Sequence, residues 1–242
     1  MYDSTTNPVP RMRYVAFCDV LGFSNAVENR FQHTISVYAD FMKRMRDWPF
    51  PEKAEVSIYS DSILIVSDEL PPVIHAVKNL WFATLAQDWL IRGGIAYGRY
   101  WEQRENGNLF VVSDALVRAV RLESSVGHPA VAFSPEVDLT LADWVPRFQQ
   151  GLLPAPILHF RELSFVNPFN PYWFQSARMR VSQMLDAHPD HAKKYDWFLD
   201  LSVAVENNEM LVPDTALNEL LKEGILVPID QTSGTAESSN VV

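Results

Sequence analysis

Two aspartates, Asp19 and Asp61, stand where surface solvation alone does not explain a carboxylate. Asp19 lies at the end of an apolar run, RYVAFCDVL (13–21), between Cys18 and Val20. Desolvating an acid there is costly unless it is paired or metal-bound. Gly22-Phe23-Ser24 follows directly and leads into a helical pattern. A turn at a helix N-terminus points free backbone N–H groups outward, a setting that suits phosphate. Asp61 falls between two strand-like arms, VSIY and SILIV, at the tip of an expected hairpin. Each acid alone has an ordinary reading, a strand end bonded to backbone or a turn residue bonded to its own backbone. If the hairpin lies beside the strand of Asp19, two hard carboxylates repel each other, and Mg²⁺ or Mn²⁺ would relieve that repulsion. Two such ions can also orient both ends of a phosphoryl displacement.

Around this pair, Tyr59 precedes Asp61 by two residues and is expected on the same strand face. It can stack on a small base or pack across strands, and the sequence leaves both open. Arg92, before Gly93-Gly94, reads as a structural cross-strand residue, and Arg99 and Arg104 as solvated arginines beside a turn. The six histidines show no zinc spacing with cysteine.

The elements that must position these residues follow from periodicity. Residues 24–48 carry Val27, Phe31, Ile35, Tyr38, Phe41, Met42 and Met45 at spacings of three to four, a helix with one apolar face ended by Pro49 and Pro51. After the hairpin, Pro71-Pro72 open a helix to about residue 90. IRGGIAYGRYW and LFVV read as strands around an Asn106-Gly107 turn. A helix capped by Ser113 or Asp114 runs to Val126, and AVAFS resumes as a strand. This order predicts an α+β fold, a ferredoxin-like sheet with helices on one face, over residues 13–135. A mostly helical extension is expected over 136–228, with 135–162 mixed in character and 173–208 helical. The small polar residues of 229–242 read as a disordered tail.

The formal net charge of −10 and pI near 5.0 argue against duplex nucleic acid and anionic membranes as partners. They do not exclude a small anionic substrate, because a metal ion inverts the local field. The single cysteine, Cys18, cannot form an intrachain disulfide, which agrees with a reducing cytoplasm. No apolar run is long enough for stable membrane insertion and no secretory signal is visible, so a cytoplasmic protein is expected.

Four segments in order carry a resemblance. FCDVLGFSNAV resembles the first metal motif of the class III nucleotidyl cyclases, and VSIYSDSILIV the hairpin bearing that family's second metal aspartate. RGGIAYG and LFVVSDALVRAVRLES resemble the strand and the strand–helix that follow. The variants look most like the pyrimidine cyclases of bacterial Pycsar antiphage systems. The resemblance implies two divalent metal ions, Mn²⁺ or Mg²⁺, held by Asp19, Asp61 and the backbone carbonyl of Val20. It also implies phosphate contacts at Phe23 and Ser24, and Arg121 stabilising the transferring phosphoryl group. It implies a homodimer with sites at the interface, the acids from one subunit and Arg121 from the other. Ser57, Phe110 and Val117 stand where a purine cyclase has its lysine, its base-reading acid and its ribose-orienting asparagine. The implied substrate is therefore UTP, with CTP as the alternative, and the implied product a 3′,5′-cyclic monophosphate. An inactive nucleotide-binding homologue, a different two-metal phosphoryl enzyme and an interaction module are the rival readings.

Overall fold

The computed structural model describes residues 9–47, 50–144, 155–170, 172–207 and 209–227. The expected tail over 229–242 lies outside the described residues. The chain opens with strand β1 (Arg11–Val20), which passes through the Leu21-Gly22 turn into helix α1 (Phe23–Asp47). Strands β2 (Glu55–Tyr59) and β3 (Ser62–Ser67) form the expected hairpin, and α2 (Leu70–Leu85) follows. Strand β4 (Ile91–Glu105) turns at Asn106-Gly107 into β5 (Asn108–Ser113) and then α3 (Asp114–Ser125) and β6 (Val131–Phe133). Beyond these lie α4 (Leu141–Trp144), β7 (Ile157–Phe160), β8 (Leu163–Val166), α5 (Phe174–Ala187), a 3₁₀ turn (Pro189–His191), α6 (Ala192–Glu206) and α7 (Asp214–Lys222).

Among the described residues the strands form one eight-stranded sheet in the order β2-β3-β1-β4-β6-β8-β7, with β5 paired to the far half of β4. β1 is central and antiparallel to both neighbours, so Asp19 sits opposite Ser62 of β3 and opposite Arg92 of β4. Alternation along β1 sends Ala16, Cys18 and Val20 to one core and Val15 to another. The larger core is shared with α1, α2, α5 and α6, the expected helical face. The smaller holds Val15, Leu64, Val66 and Ala96 under Ala115 and Ala119 of α3. The α+β class therefore holds, with α3 alone among the longer helices lying on the other face.

Glycine sets how closely α3 approaches. A Cβ on Gly94 would stand 2.4 Å from the Ala119 carbonyl oxygen and 2.8 Å from Leu122 Cβ. Only a residue without a side chain lets the helix backbone rest there. The α3 N-terminus is fixed by Ser113, whose hydroxyl accepts from the Leu116 N–H at 3.0 Å.

Three expectations need revision. Residues 157–166 form the β7–β8 hairpin, which extends the sheet through the β6–β8 pairing. Helix α2 ends at Leu85, and Trp89 lies beyond it, after Asp88 with a φ of 58°. In α1 the backbone breaks at Arg30 (φ −143°, ψ 44°), and Phe31, Ile35 and Met42 stay exposed while Thr34, Phe41 and Met45 are buried. The wide apolar arc of this helix is thus covered along one edge only. No helix of the described residues is long and apolar enough to cross a membrane.

Candidate active site

The site is built where β1 ends. Its last residue, Val20, donates its N–H to the carbonyl of Asp61 at 3.0 Å. That bond ties the hairpin tip to the strand carrying Asp19. The tip is a two-residue turn in which Ser60 adopts a φ of 59°. A second tie holds it from the helical side, where the Tyr38 hydroxyl donates to the Ser60 carbonyl at 2.9 Å. Both acids are thus placed by backbone contacts, and their spacing does not depend on a flexible loop.

The electrostatics follow from that placement. The Asp19 carboxyl is pushed up to about 6, first by burial, then by the charges of Asp61 and Glu123. Arg92 and Lys194 oppose the shift. Arg92 lies across the ladder from Asp19, with its guanidinium 3.8 Å from the carboxylate and 2.6 Å from Glu123 of α3. Glu123 is almost fully buried, so Arg92 is held between two acids of unequal depth. Asp61 also acts on Tyr38, whose phenol is raised by burial and by that charge.

Two carboxylates on adjoining backbone, with the charge of Asp61 acting on the partly buried Asp19, are a hard oxygen donor set suited to Mg²⁺ or Mn²⁺. Among the described residues no group of three or more acidic, histidine or cysteine side chains gathers to hold a metal. Asp19, Asp61 and the Val20 carbonyl would therefore leave coordination positions for the oxygens of a bound ligand and for water.

The turn after Val20 supplies the second component. Gly22 has a φ of 82°, open to glycine at low cost. The first helical bond of α1 runs from the Ala26 N–H to the Gly22 carbonyl at 3.1 Å. The amides of Phe23, Ser24 and Asn25 precede it and stand at the positive end of the helix. The Phe23 ring is buried against Tyr38 and Trp89, with centroids 5.7 and 5.6 Å away, so Phe23 anchors the turn.

Tyr59 ends β2 and is 57% exposed. The turn between it and Asp61 interrupts strand alternation, so the expected shared face does not follow. Arg121 is on the exposed side of α3, one turn beyond exposed Val117. It is absent from the charges that act on Asp19.

No family model matches the chain, and no curated protein matches it. Solved structures do resemble it. The adenylyl cyclase CyaB from P. aeruginosa has 13% identity over 69% of this chain and 98% of its own, with a TM-score of 0.48. The guanylyl cyclase Cya2 has 12% identity over 69% of this chain and 98% of its own, with a TM-score of 0.46. The guanylyl cyclase domain of the RhoGC fusion protein from the aquatic fungus Blastocladiella emersonii has 16% identity over 53% and 84%, with a TM-score of 0.39.

Sequence reasoning missed Tyr38, Glu123 and Lys194. Tyr38 looked like one more apolar helix residue, and nothing in the chain order marks its reach to Ser60. Glu123 carried a signal, an acid on the inner side of an amphipathic helix. Lys194 belongs to α6, far along the chain, and only the folded arrangement brings its charge to bear on Asp19.

Proposed function

We propose that this protein is a pyrimidine nucleotide cyclase that converts UTP to 3′,5′-cyclic UMP and diphosphate, with CTP as the alternative substrate. The observation that carries the reading is the Val20–Asp61 hydrogen bond, which holds two carboxylates together beside the free amides of α1. The absence of the purine-reading residues at Ser57, Phe110 and Val117 supports a pyrimidine base.

In this reading Asp19, Asp61 and the Val20 carbonyl hold two divalent ions. When bound, the ions neutralise triphosphate charge and lower the pKa of the ribose 3′-hydroxyl. The amides at Phe23 and Ser24 receive phosphate oxygens without reorganisation, because the turn is already fixed by Gly22 and the buried Phe23 ring. The ribose 3′-oxygen attacks the α-phosphorus in line, the bond to the β-phosphate oxygen breaks, diphosphate leaves, and the hydroxyl proton passes to solvent. Tyr59, exposed at the hairpin, is available to the base. Arg121 is exposed and is not among the charges that act on Asp19, which suits service to the site of a second copy in a homodimer. The proposed role is signal generation in antiphage defence, in the cytoplasm.

The test is incubation with each of the four ribonucleoside triphosphates and Mn²⁺ or Mg²⁺, with products identified by mass spectrometry. A cyclic pyrimidine monophosphate and diphosphate are expected from the wild type and not from Asp61→Ala. A chain that yields no cyclic mononucleotide from any of the four would overturn the activity, and cyclic AMP or GMP as the main product would overturn the base preference.

A further inference from the structure

A cleft of about 600 Å³ lies between the first half of α1, the turn after α2 and the α5–α6 connection. Its volume is in the range of small-molecule sites. The whole chain carries a net charge of −10, yet the charged residues lining this cleft are Arg30, Arg180 and a single acid, Asp88. Asp88 is already engaged by Arg180 at 2.6 Å. Three imidazoles, of His33, His188 and His191, face the same space and can add hydrogen bonds. The lining thus keeps one arginine beyond the Arg180–Asp88 pair, with three imidazoles beside it, in a protein that is otherwise acidic.

The local backbone is shaped to this cleft. The break in α1 falls at Arg30 itself. The Thr34 hydroxyl fills the break, 2.9 Å from the Ala26 carbonyl and 3.1 Å from that of Arg30. The side chain of Arg30 is thereby presented by a non-helical residue in the middle of a long helix. The far wall comes entirely from the C-terminal extension, through Arg180 of α5, His188 and His191. Gly22 and Asn25, at the turn into α1, form another wall. Lys194 continues the cationic character from the start of α6 toward Asp19.

We infer that this cleft is a binding site for a small phosphate-bearing anion, gripped by Arg30 and the α5–α6 histidines and seated against the Gly22 turn. Two sources share that chemistry: the diphosphate end of a substrate or product, and a separate phosphorylated effector. The anion site stands on the cleft alone, and the choice between its two sources rests on the proposed cyclase reading. It gives the C-terminal extension a task, which is to close one side of an anion site whose other side touches the acid-bearing turn.

Isothermal titration of the full chain with sodium diphosphate, and with inorganic phosphate, in the presence of EDTA tests it. Binding is expected in the wild type and unchanged in Asp61→Ala. It should weaken at least about ten-fold in Arg30→Gln and in His191→Gln, because each loses a charge-assisted or polar hydrogen bond to the anion. Unaltered thermal unfolding of the two variants shows that they fold. No binding of either anion to the wild type, or equal binding by the folded Arg30→Gln and His191→Gln proteins, overturns the site. If Arg30→Gln raises KM for the triphosphate, the source is the substrate tail or product. If KM is unchanged while the response of rate to added phosphate is lost, the source is a separate effector.

Discussion

At the residue scale, Asp19 feels the charges of Asp61 and Glu123, and Arg92 adjoins two of these three acids, Asp19 and Glu123. Replacing Asp61 by alanine removes one proposed metal ligand and relieves the repulsion on Asp19. The expected outcome is loss of cyclisation by at least about a thousand-fold with thermal stability unchanged or slightly raised, read from product formation and an unfolding curve. Glu123→Ala acts differently. It strips Arg92 of its 2.6 Å partner in a largely buried setting. Urea unfolding should show a loss of about 2–3 kcal/mol, below the full cost of an orphaned buried charge because Arg92 keeps some solvent and Asp19. The two acids were picked out from the sequence by their order with the Gly22-Phe23-Ser24 turn and the later segments, since each alone has an ordinary strand-end or turn reading. Arg92 was read as bonding across strands, and it lies across the ladder from Asp19. Its shorter bond, to Glu123 of α3, was not foreseen, because strand patterning does not say which helix covers that position.

At the element scale, the hairpin and α3 are the pieces whose placement decides the site. Tyr38→Phe deletes the hydrogen bond to the Ser60 carbonyl. A single bond of this kind contributes about 1 kcal/mol to stability. Cyclisation should fall by more than that figure implies, since the bond fixes the tip that carries Asp61; a rate loss no larger than the stability loss would show that the tip is held well enough by Val20 alone. Gly94→Ala should displace α3 from the sheet, since the added methyl has no space beside the Ala119 carbonyl. A loss of about 1–3 kcal/mol is expected, measured by denaturant unfolding.

The β2–β3 hairpin, α2, α3 and both long strands were readable from alternation, proline and cap residues. The β7–β8 hairpin was not. Its turn residues are Arg161 and Glu162, with φ of 50° and 65°, where the expected signal is asparagine or glycine. Contacts offset the strain: Arg161 pairs with Asp200 at 2.6 Å and lies over the Phe160 ring. Helix α1 was read as one amphipathic rod because periodicity is blind to a single non-helical residue, and the break at Arg30 has no proline or glycine to announce it.

At the scale of the whole molecule, apolar side chains stand in water around β5 and α3. Phe110 is 52% exposed and Val112 70%, on the side of β5 turned away from Val111 and the α3 core, and Val117 of α3 is 48% exposed. Exposed apolar surface of this kind is available to an interaction partner. If a second copy covers it and borrows Arg121, then Asp19→Ala and Arg121→Ala proteins, each inactive, should regain activity on mixing, because a heterodimer keeps one complete site. Size-exclusion chromatography with light scattering should show a dimer for the wild type and a smaller species for Val112→Glu. Continued inactivity of the mixture, with dimers formed, would count against a shared site. No composition or spacing rule shows such a pairing, since one chain's sequence does not say which of its faces meets another copy.

The Val20–Asp61 hydrogen bond has one more implication, for the order of events as the chain folds. Asp19 and Asp61 are separated along the chain by the whole of α1, and their meeting requires β3 to find β1. Bringing such distant segments together costs loop entropy that is recovered only when the ladder closes. A chain with every helix formed but that ladder open carries two isolated acids. If the pair holds divalent ions as proposed, Mn²⁺ uptake would serve as a readout of completed sheet assembly, and metal would favour the finished fold over every partially organised one.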